Sequence, residues 1–121
     1  MKEVTAMYLG IDCGTQGTKA LIVTEAGQTI GRGYSPHQLL ERSSGLREQE
    51  PAWWVEALVS ATREALAPQF GSGTLVRAIG VSGQQHGLVV LDEHMKVIRP
   101  AKLWNDTETA PQNEELLKRF G

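Results

Sequence analysis

Near its start the chain runs Met7-Tyr8-Leu9-Gly10-Ile11-Asp12, then Cys13-Gly14-Thr15-Gln16-Gly17, then Thr18-Lys19-Ala20-Leu21-Ile22-Val23-Thr24. The two flanks are short, apolar and of strand length, and the glycine-punctuated middle reads as a turn, so the pattern predicts a hairpin. A second turn at Glu25-Ala26-Gly27-Gln28 leads into a third strand, Thr29 to Tyr34. Three antiparallel strands therefore open the chain. The Gly10 to Lys19 segment also carries chemistry. A carboxylate at a strand end, followed by Gly14, Thr15, Gln16, Gly17, Thr18 and Lys19, offers backbone N–H groups and hydroxyls to one concave spot. Such a spot suits a phosphate group, and Asp12 beside it suits a magnesium ion held through water. The same residues equally suit a plain hairpin turn, with glycines relieving φ strain and Asp12 capping its strand.

The remaining elements follow from periodicity and punctuation. Ser35 to Gln49 shows no period and contains Ser43-Ser44-Gly45, which predicts a long surface connection. Pro51 suits a first helical turn, where its missing N–H costs nothing. Trp54, Leu58, Ala61 and Ala65 then recur at helical spacing until Pro68 and Gly71, which predicts an amphipathic helix packed on the core. Ala78 to Gly83 reads as a buried strand, being short, small and β-branched, and closed by glycine. Gly87 to Leu91 and Lys96 to Ile98 predict a hairpin turning at Asp92-Glu93-His94-Met95. Asn105-Asp106-Thr107 supply capping side chains to a last helix with Leu116, Leu117 and Phe120 on one face. The order β-β-β-α-β, hairpin and helix belongs to mixed α/β layers. Its 121 residues suit one unit, and no return strand follows the last helix, so the sheet reads as unfinished and residues 1–121 as the first part of a longer domain.

Composition narrows the partners. An apolar share of 40% with 21% charged residues fits a packed soluble domain. A formal charge of −2 gives no basic surface for nucleic acid and no polybasic stretch for a membrane, so a small molecule is the partner by elimination. Cys13 is the only cysteine, which excludes an intramolecular disulfide and a cysteine-built metal cluster and makes the cytoplasm the expected compartment. No apolar run approaches the roughly 20 residues of a membrane span. Met1 to Ala6 is too polar to open a signal peptide, and Met7 serves equally as a start.

A second polar constellation is Gln84-Gln85-His86. A lone strand-end histidine is usually a hydrogen-bonded structural residue, but two glutamines and a histidine after a strand, flanked by glycines, give the convergent donors and acceptors that a polyol needs. Trp53 and Trp54 are adjacent and cannot share a helix face, so one is expected in the core and the other at the surface or near a ligand. Trp104 reads as packing, and Asn105 and Asp106 read equally as cap or ligand residues. His37 and His94 lie in loop or turn contexts and carry no assigned role.

The Gly10 to Lys19 segment resembles the first phosphate motif of the sugar kinase, actin and heat-shock ATPase group, which runs strand, Gly-x-Asp-x-Gly-Thr, strand. Glu48-Gln49-Glu50-Pro51 with Trp53-Trp54 resembles a Glu-Gln-Asp-Pro…Trp-Trp helix opening. Gly83-Gln84-Gln85-His86-Gly87 resembles a Gly-Gln-Met-His-Gly sugar segment, and Pro100-Ala101-Lys102-Leu103-Trp104-Asn105-Asp106 resembles Arg-Pro-Ala-x-Leu-Trp-Asn-Asp. Together they cover nearly the whole chain in the order found in the FGGY carbohydrate kinases, most like the xylulose kinases among them.

The resemblance implies a ribonuclease H-like (actin-like ATPase) fold, here incomplete, and ATP-dependent phosphorylation of a sugar hydroxyl, D-xylulose first, with ribulose, gluconate and glycerol as alternatives. It implies ATP and Mg²⁺ as cofactors, Asp12 acting on metal-bound water, and the Gly14 to Lys19 turn facing the nucleotide phosphates. Gln84, Gln85, His86, Asn105 and Asp106 would face the sugar. The family's general base has no counterpart here, so the chain alone is expected to be inactive. Homo-oligomerisation stays open. Two positions depart from the pattern: Gln85 replaces the usual methionine, and Glu108 stands where many members carry arginine. A ribonuclease H-like nuclease is disfavoured by Gly83-Gln84 at a strand end where such enzymes need a carboxylate, and a non-catalytic module remains the third reading.

Overall fold

A computed structural model describes residues 3–121, so Met1 and Lys2 of the polar start lie outside the described residues. In chain order the elements are β1 (Met7–Cys13), β2 (Gly17–Thr24), β3 (Thr29–Pro36), β4 (Leu40–Glu41), β5 (Arg47–Gln49), α1 (Pro51–Leu66), β6 (Val76–Gly83), β7 (Ala101–Lys102) and α2 (Ala110–Phe120). They fall into two compact units, residues up to His37 with Ala52–Gln84, and Gln38–Pro51 with Gln85–Gly121.

In the first unit the strand order is β3-β2-β1-β6. The expected antiparallel triplet forms, with Leu9 opposite Ile22 and Ile11 opposite Ala20, and β6 adds parallel to β1. Alternation sends Met7, Leu9, Ile11, Ala20 and Ile22 to one face, where they form the core with Ala61 and Ala65 of α1. Each large apolar side chain buried there contributes about 1.5–3 kcal/mol. Gly10, Asp12, Lys19, Leu21 and Arg32 occupy the opposite face and stay exposed.

The helix sits unusually close to the sheet. A Cβ on Gly31 would come within 1.9 Å of the Ala65 carbonyl oxygen, and one on Gly33 within 1.8 Å of that of Ala61. Glycine on the strand and alanine on the helix are therefore matched requirements, and Tyr34 N donates to Glu64 at 3.1 Å alongside them. This contact also corrects the expected helix face. Ala57, Ala61 and Ala65 are the buried stripe, Leu58 is partly buried at its margin, and both Trp53 and Trp54 are half-buried. The helix closes as expected at Pro68 and Gly71, through a short 3₁₀ turn (Ala67–Gln69) and a left-handed Phe70.

The last strand of this sheet departs from expectation. β6 is an edge strand, and Ile79 and Val81 are 61% and 66% exposed rather than buried. In register with Leu9 and Ile11, they share the core face, but the cover that α1 provides does not extend to them. Small and β-branched composition reports a strand that is covered, without reporting by what.

The second unit holds a sheet of order β4-β5-β7, antiparallel throughout. The stretch read as a plain surface connection thus contributes two strands, too short at two and three residues to show a period. The hairpin expected over 87–98 reduces to an isolated bridge, Leu91 to Val97. Its turn forms as expected, with Asp92 Oδ1 accepting from the N–H groups of His94 and Lys96 at 2.8 and 2.9 Å. α2 starts after Thr109, whose side chain makes no capping bond. Asp106 does not cap it either. Its Oδ1 accepts from Glu108 N at 3.0 Å, ahead of the helix. Leu116, Leu117 and Phe120 are exposed on α2.

Charge holds this unit together where apolar area is scarce. Lys102 Nζ lies 3.1 Å from Glu48, 3.1 Å from Asp106 and 3.3 Å from Glu108. Arg99 pairs with Glu48 from the other side, and Arg47 N donates to Asp106 Oδ2 at 2.7 Å. The Glu48 and Asp106 side chains are only 7% and 3% exposed, so these charges depend on their partners. Burial by itself would lift the Asp106 carboxyl, but the N–H of Arg47, the Lys102 ammonium and the N–H of Glu108 outweigh it and hold the pKa below the ordinary aspartate value. Burial likewise opposes charge on Lys102, and Glu48, Asp106 and Glu108 outweigh it and hold its pKa above the ordinary lysine value.

Two outcomes are expected. Gly33→Ala should destabilise the protein by about 3 kcal/mol or more, since its new Cβ meets helix backbone that cannot rotate away, whereas Gly10→Ala, whose Cβ meets nothing within 4 Å, should unfold near the wild-type urea midpoint. Equal midpoints for the two variants would contradict the close approach. Lys102→Met should cost on the order of 3 kcal/mol by leaving buried carboxylates without their shared cation. Because the Asp106 pKa is depressed, its contribution is present above the unfolded aspartate value and is lost as pH falls through the folded one. Because the Lys102 pKa is raised, its contribution is present below the unfolded lysine value and is lost as pH rises through the folded one. Chemical denaturation across pH should therefore show a stability plateau between those limits, and Lys102→Met should flatten its alkaline edge.

Candidate functional site

The turn between β1 and β2 is built by its neighbours. Gly14 N donates to Gly17 O at 3.0 Å and closes it. Gly17 admits no side chain, because a Cβ would meet the Tyr34 ring at 2.6 Å and the Ser35 carbonyl at 2.7 Å. From the β3 side, His37 N donates to Gln16 O at 2.8 Å, Tyr34 OH reaches the same oxygen at 3.4 Å, and His37 Nε2 lies 2.8 Å from Thr18 Oγ1. From the β6 side, Gln84 N donates to Cys13 O at 2.9 Å and Thr15 Oγ1 donates to Gln84 Oε1 at 3.1 Å. The parallel pairing of β1 and β6 places their C-terminal ends together, which is why Gln84 meets this turn.

Asp12 stands on the open face, with Ser82 Oγ donating to its Oδ1 at 3.0 Å and Lys19 opposite it in register. Together with Gly10, Leu21 and Arg32 these residues line a shallow concavity of about 620 Å³. Two cations and a serine hydroxyl beside one carboxylate can take an anionic group and a hydrated cation at once. Mg²⁺ keeps several waters and takes one or two carboxylates along with substrate phosphates, so a single carboxylate such as Asp12 fits that ion.

The polar residues expected near a sugar divide between the units. Gln84 belongs to the first, and its side chain engages the turn between β1 and β2. Gln85, His86, Asn105 and Asp106 belong to the second. Gln85 and His86 are exposed, and His86 adopts φ 64°, a left-handed conformation uncommon outside glycine and concentrated at functional positions. Asn105 Oδ1 is buried with no hydrogen-bond partner among the described residues. Both carboxylate oxygens of Asp106 are engaged, as described above. Trp104, expected to pack, is 60% exposed.

Tyr34, His37, Ser82 and Arg32 carried no functional expectation from sequence. Register could have found three of them. Ser82 is the parallel partner of Asp12, Tyr34 the antiparallel partner of Lys19, and His37 follows Pro36, the partner of Gly17.

Residues 7–121 match the N-terminal domain of the FGGY family of carbohydrate kinases. The chain is 51% identical to a xylulose kinase of Haemophilus influenzae, over 95% of this chain and 24% of that protein, and 40% identical to one of Streptomyces rubiginosus, over 95% and 23%. It thus spans about a quarter of the length of these curated relatives. Among solved structures it resembles a xylulose kinase of Brucella ovis, with a TM-score of 0.83 and 38% identity over 91% of this chain and 23% of that one. A Plasmodium falciparum glycerol kinase with ADP matches at a TM-score of 0.83, covering 97% of this chain and 24% of that one, and at 22% identity the likeness is one of fold. These neighbours have the actin-like ATPase fold, which is the fold of the sheet and helix described here. The chain belongs to the FGGY family of carbohydrate kinases.

Proposed function

We propose that this chain is the N-terminal segment of a kinase that transfers a phosphoryl group from ATP to a sugar hydroxyl, most directly from ATP to D-xylulose to give D-xylulose 5-phosphate. The observation that carries the reading is Asp12 at the end of β1, exposed beside a closed glycine turn and flanked by Lys19 and Ser82. The choice of D-xylulose rests on the xylulose kinases among the similar proteins; ribulose and gluconate remain alternatives because Gln85 is polar where methionine is usual. A nuclease is disfavoured, since Ser82 and Gln84 stand where a second carboxylate would be needed. A cytoplasmic setting accompanies the reading, supported by the single cysteine.

In this proposal Gly14, Thr15, Gln16, Gly17, Thr18 and Lys19 form the phosphate side. The turn contributes its placement and backbone, because the Thr18 hydroxyl is turned inward to His37 and the Thr15 hydroxyl to Gln84. Asp12 would hold Mg²⁺ through water, and that ion, when bound, supplies charge neutralisation on the transferring group. Lys19 and Arg32 add positive charge on the same face. Gln85, His86, Asn105 and Asp106 are the sugar side, with His86 in a left-handed conformation and Asn105 supplying an unpaired acceptor. Phosphoryl transfer depends mainly on such positioning. The general base and the adenine site would come from sequence beyond these residues.

In the whole kinase, Asp12→Asn should lower kcat by about 100-fold or more, as loss of one charge-stabilising interaction does, with the sugar KM little changed. An unchanged kcat at saturating magnesium would remove Asp12 from the site. His86→Ala should raise the sugar KM and spare that of ATP. Gln84→Ala should do the reverse, because its side chain holds Thr15 of the phosphate turn. Steady-state kinetics with each substrate varied in turn separate the two, and identical effects on both constants would show that these residues support the fold alone.

A further inference from the structure

We infer that His37 is a positioning residue for the phosphate turn, holding Thr18 and Gln16 in place through its ring and its backbone; the inference rests on the kinase reading above. His37 lies just past the last ladder pair of β2 and β3, Gly17 with Pro36, so the chain carries it directly alongside the turn. Its backbone N–H donates to Gln16 O, and its ring reaches from the backbone of Gly14 and Thr15 to the Thr18 hydroxyl, 2.8 Å from Nε2. The ring thus touches both ends of a turn that its own backbone touches in the middle.

The ring is chosen for its polarity as well as its volume. Thr18 is fully buried, and its hydroxyl needs a partner that does not come from water. His37 Nε2 supplies it. A space-filling apolar side chain would leave the threonine hydroxyl without that partner. Burial holds the ring pKa below the ordinary histidine value, against the opposing effect of the Thr15 and Gly14 backbone, so the neutral imidazole is the form that bonds Thr18 near neutral pH. Thr18 is the second residue of β2, and the next is Lys19, which faces Asp12. Anything that moves Thr18 therefore moves the cation opposite the carboxylate. The remaining β3-side support, Tyr34 OH to Gln16 O at 3.4 Å, is long for a hydroxyl hydrogen bond.

The test uses the whole kinase and two readouts, titration calorimetry with ADP and steady-state kinetics with ATP and D-xylulose. His37→Phe keeps an aromatic ring and loses both nitrogens. It should weaken ADP binding and raise the ATP KM by about tenfold, the effect of one lost positioning hydrogen bond, with the sugar KM within about twofold. His37→Gln places an amide nitrogen near the position of Nε2 and should restore most of the affinity. Thr18→Val should match His37→Phe, and the double variant should be no worse than either alone, as expected for partners in one interaction. Wild-type ADP affinity in His37→Phe, or equal rises in both KM values together with a lowered melting temperature and no rescue by glutamine, would overturn the positioning role while leaving the kinase reading intact. A wild-type protein that binds no ADP and phosphorylates no sugar would overturn the kinase reading, and this inference with it.

Discussion

The contact between α1 and β3 sets the geometry of the first unit. With the Ala61 and Ala65 carbonyls seated where side chains of Gly33 and Gly31 would be, the helix cannot slide or rotate on the sheet without backbone collision. That fixes which face of β1 and β2 is core, and hence that Met7, Leu9 and Ile11 point inward while Gly10 and Asp12 point outward. A functional carboxylate at a strand end is exposed only if the strand's register and facing are beyond doubt, because a slip of one residue would bury Asp12 and expose Ile11. The glycines and alanines, chemically silent themselves, are what commit Asp12 to the open face. They also account for part of a glycine content of 13 residues that a loop-based reading leaves unexplained.

What was legible in the sequence, and what was not, divides along the range of the interactions involved. The opening hairpin, its turn and the third strand follow from local alternation, and they form as read. The helix start at Pro51 and stop near Gly71 are local signals too. On α1 the expected Ala61 and Ala65 are buried and Leu58 packs at the margin, whereas Trp54 is only half-buried and Ala57 takes its place, because the facing glycines select the smallest residues and lie far away in the chain. β6 was misjudged because composition cannot say that a strand lies at an edge. β4 and β5 were missed because strands of two and three residues are defined by their partners and have no period of their own. In the candidate site, Asp12 and the turn were legible as chemistry, while the residues that hold the turn came from β3, β6 and the segment after β3, at separations that only register reveals.

The second unit shows how a buried carboxylate organises the charges around it. Lys102, at the variable place in the Pro-Ala-x-Leu-Trp-Asn-Asp stretch, puts an ammonium within 3.3 Å of Glu108 and 3.1 Å of Asp106. The cation beside Asp106 is thus supplied from β7, the strand before it. Ser44 completes the arrangement, with its Oγ donating to Glu108 at 2.7 Å. Lys102 lies between the two carboxylates and offsets the charge of both.

The turn between β1 and β2 depends on its neighbours in the same way. Glycines let a chain turn tightly, but they also leave it free to move, and a mobile turn would lose the positioning on which phosphoryl transfer depends. Here the freedom of Gly14 and Gly17 is removed from outside, by Gln84 on one side and by Tyr34 and His37 on the other. The backbone is thereby tight enough to approach a ligand closely and is still held in one arrangement. Gln84 holds it twice over, its N–H donating to Cys13 O and its Oε1 accepting from the Thr15 hydroxyl, so the restraint acts on backbone and side chain at once.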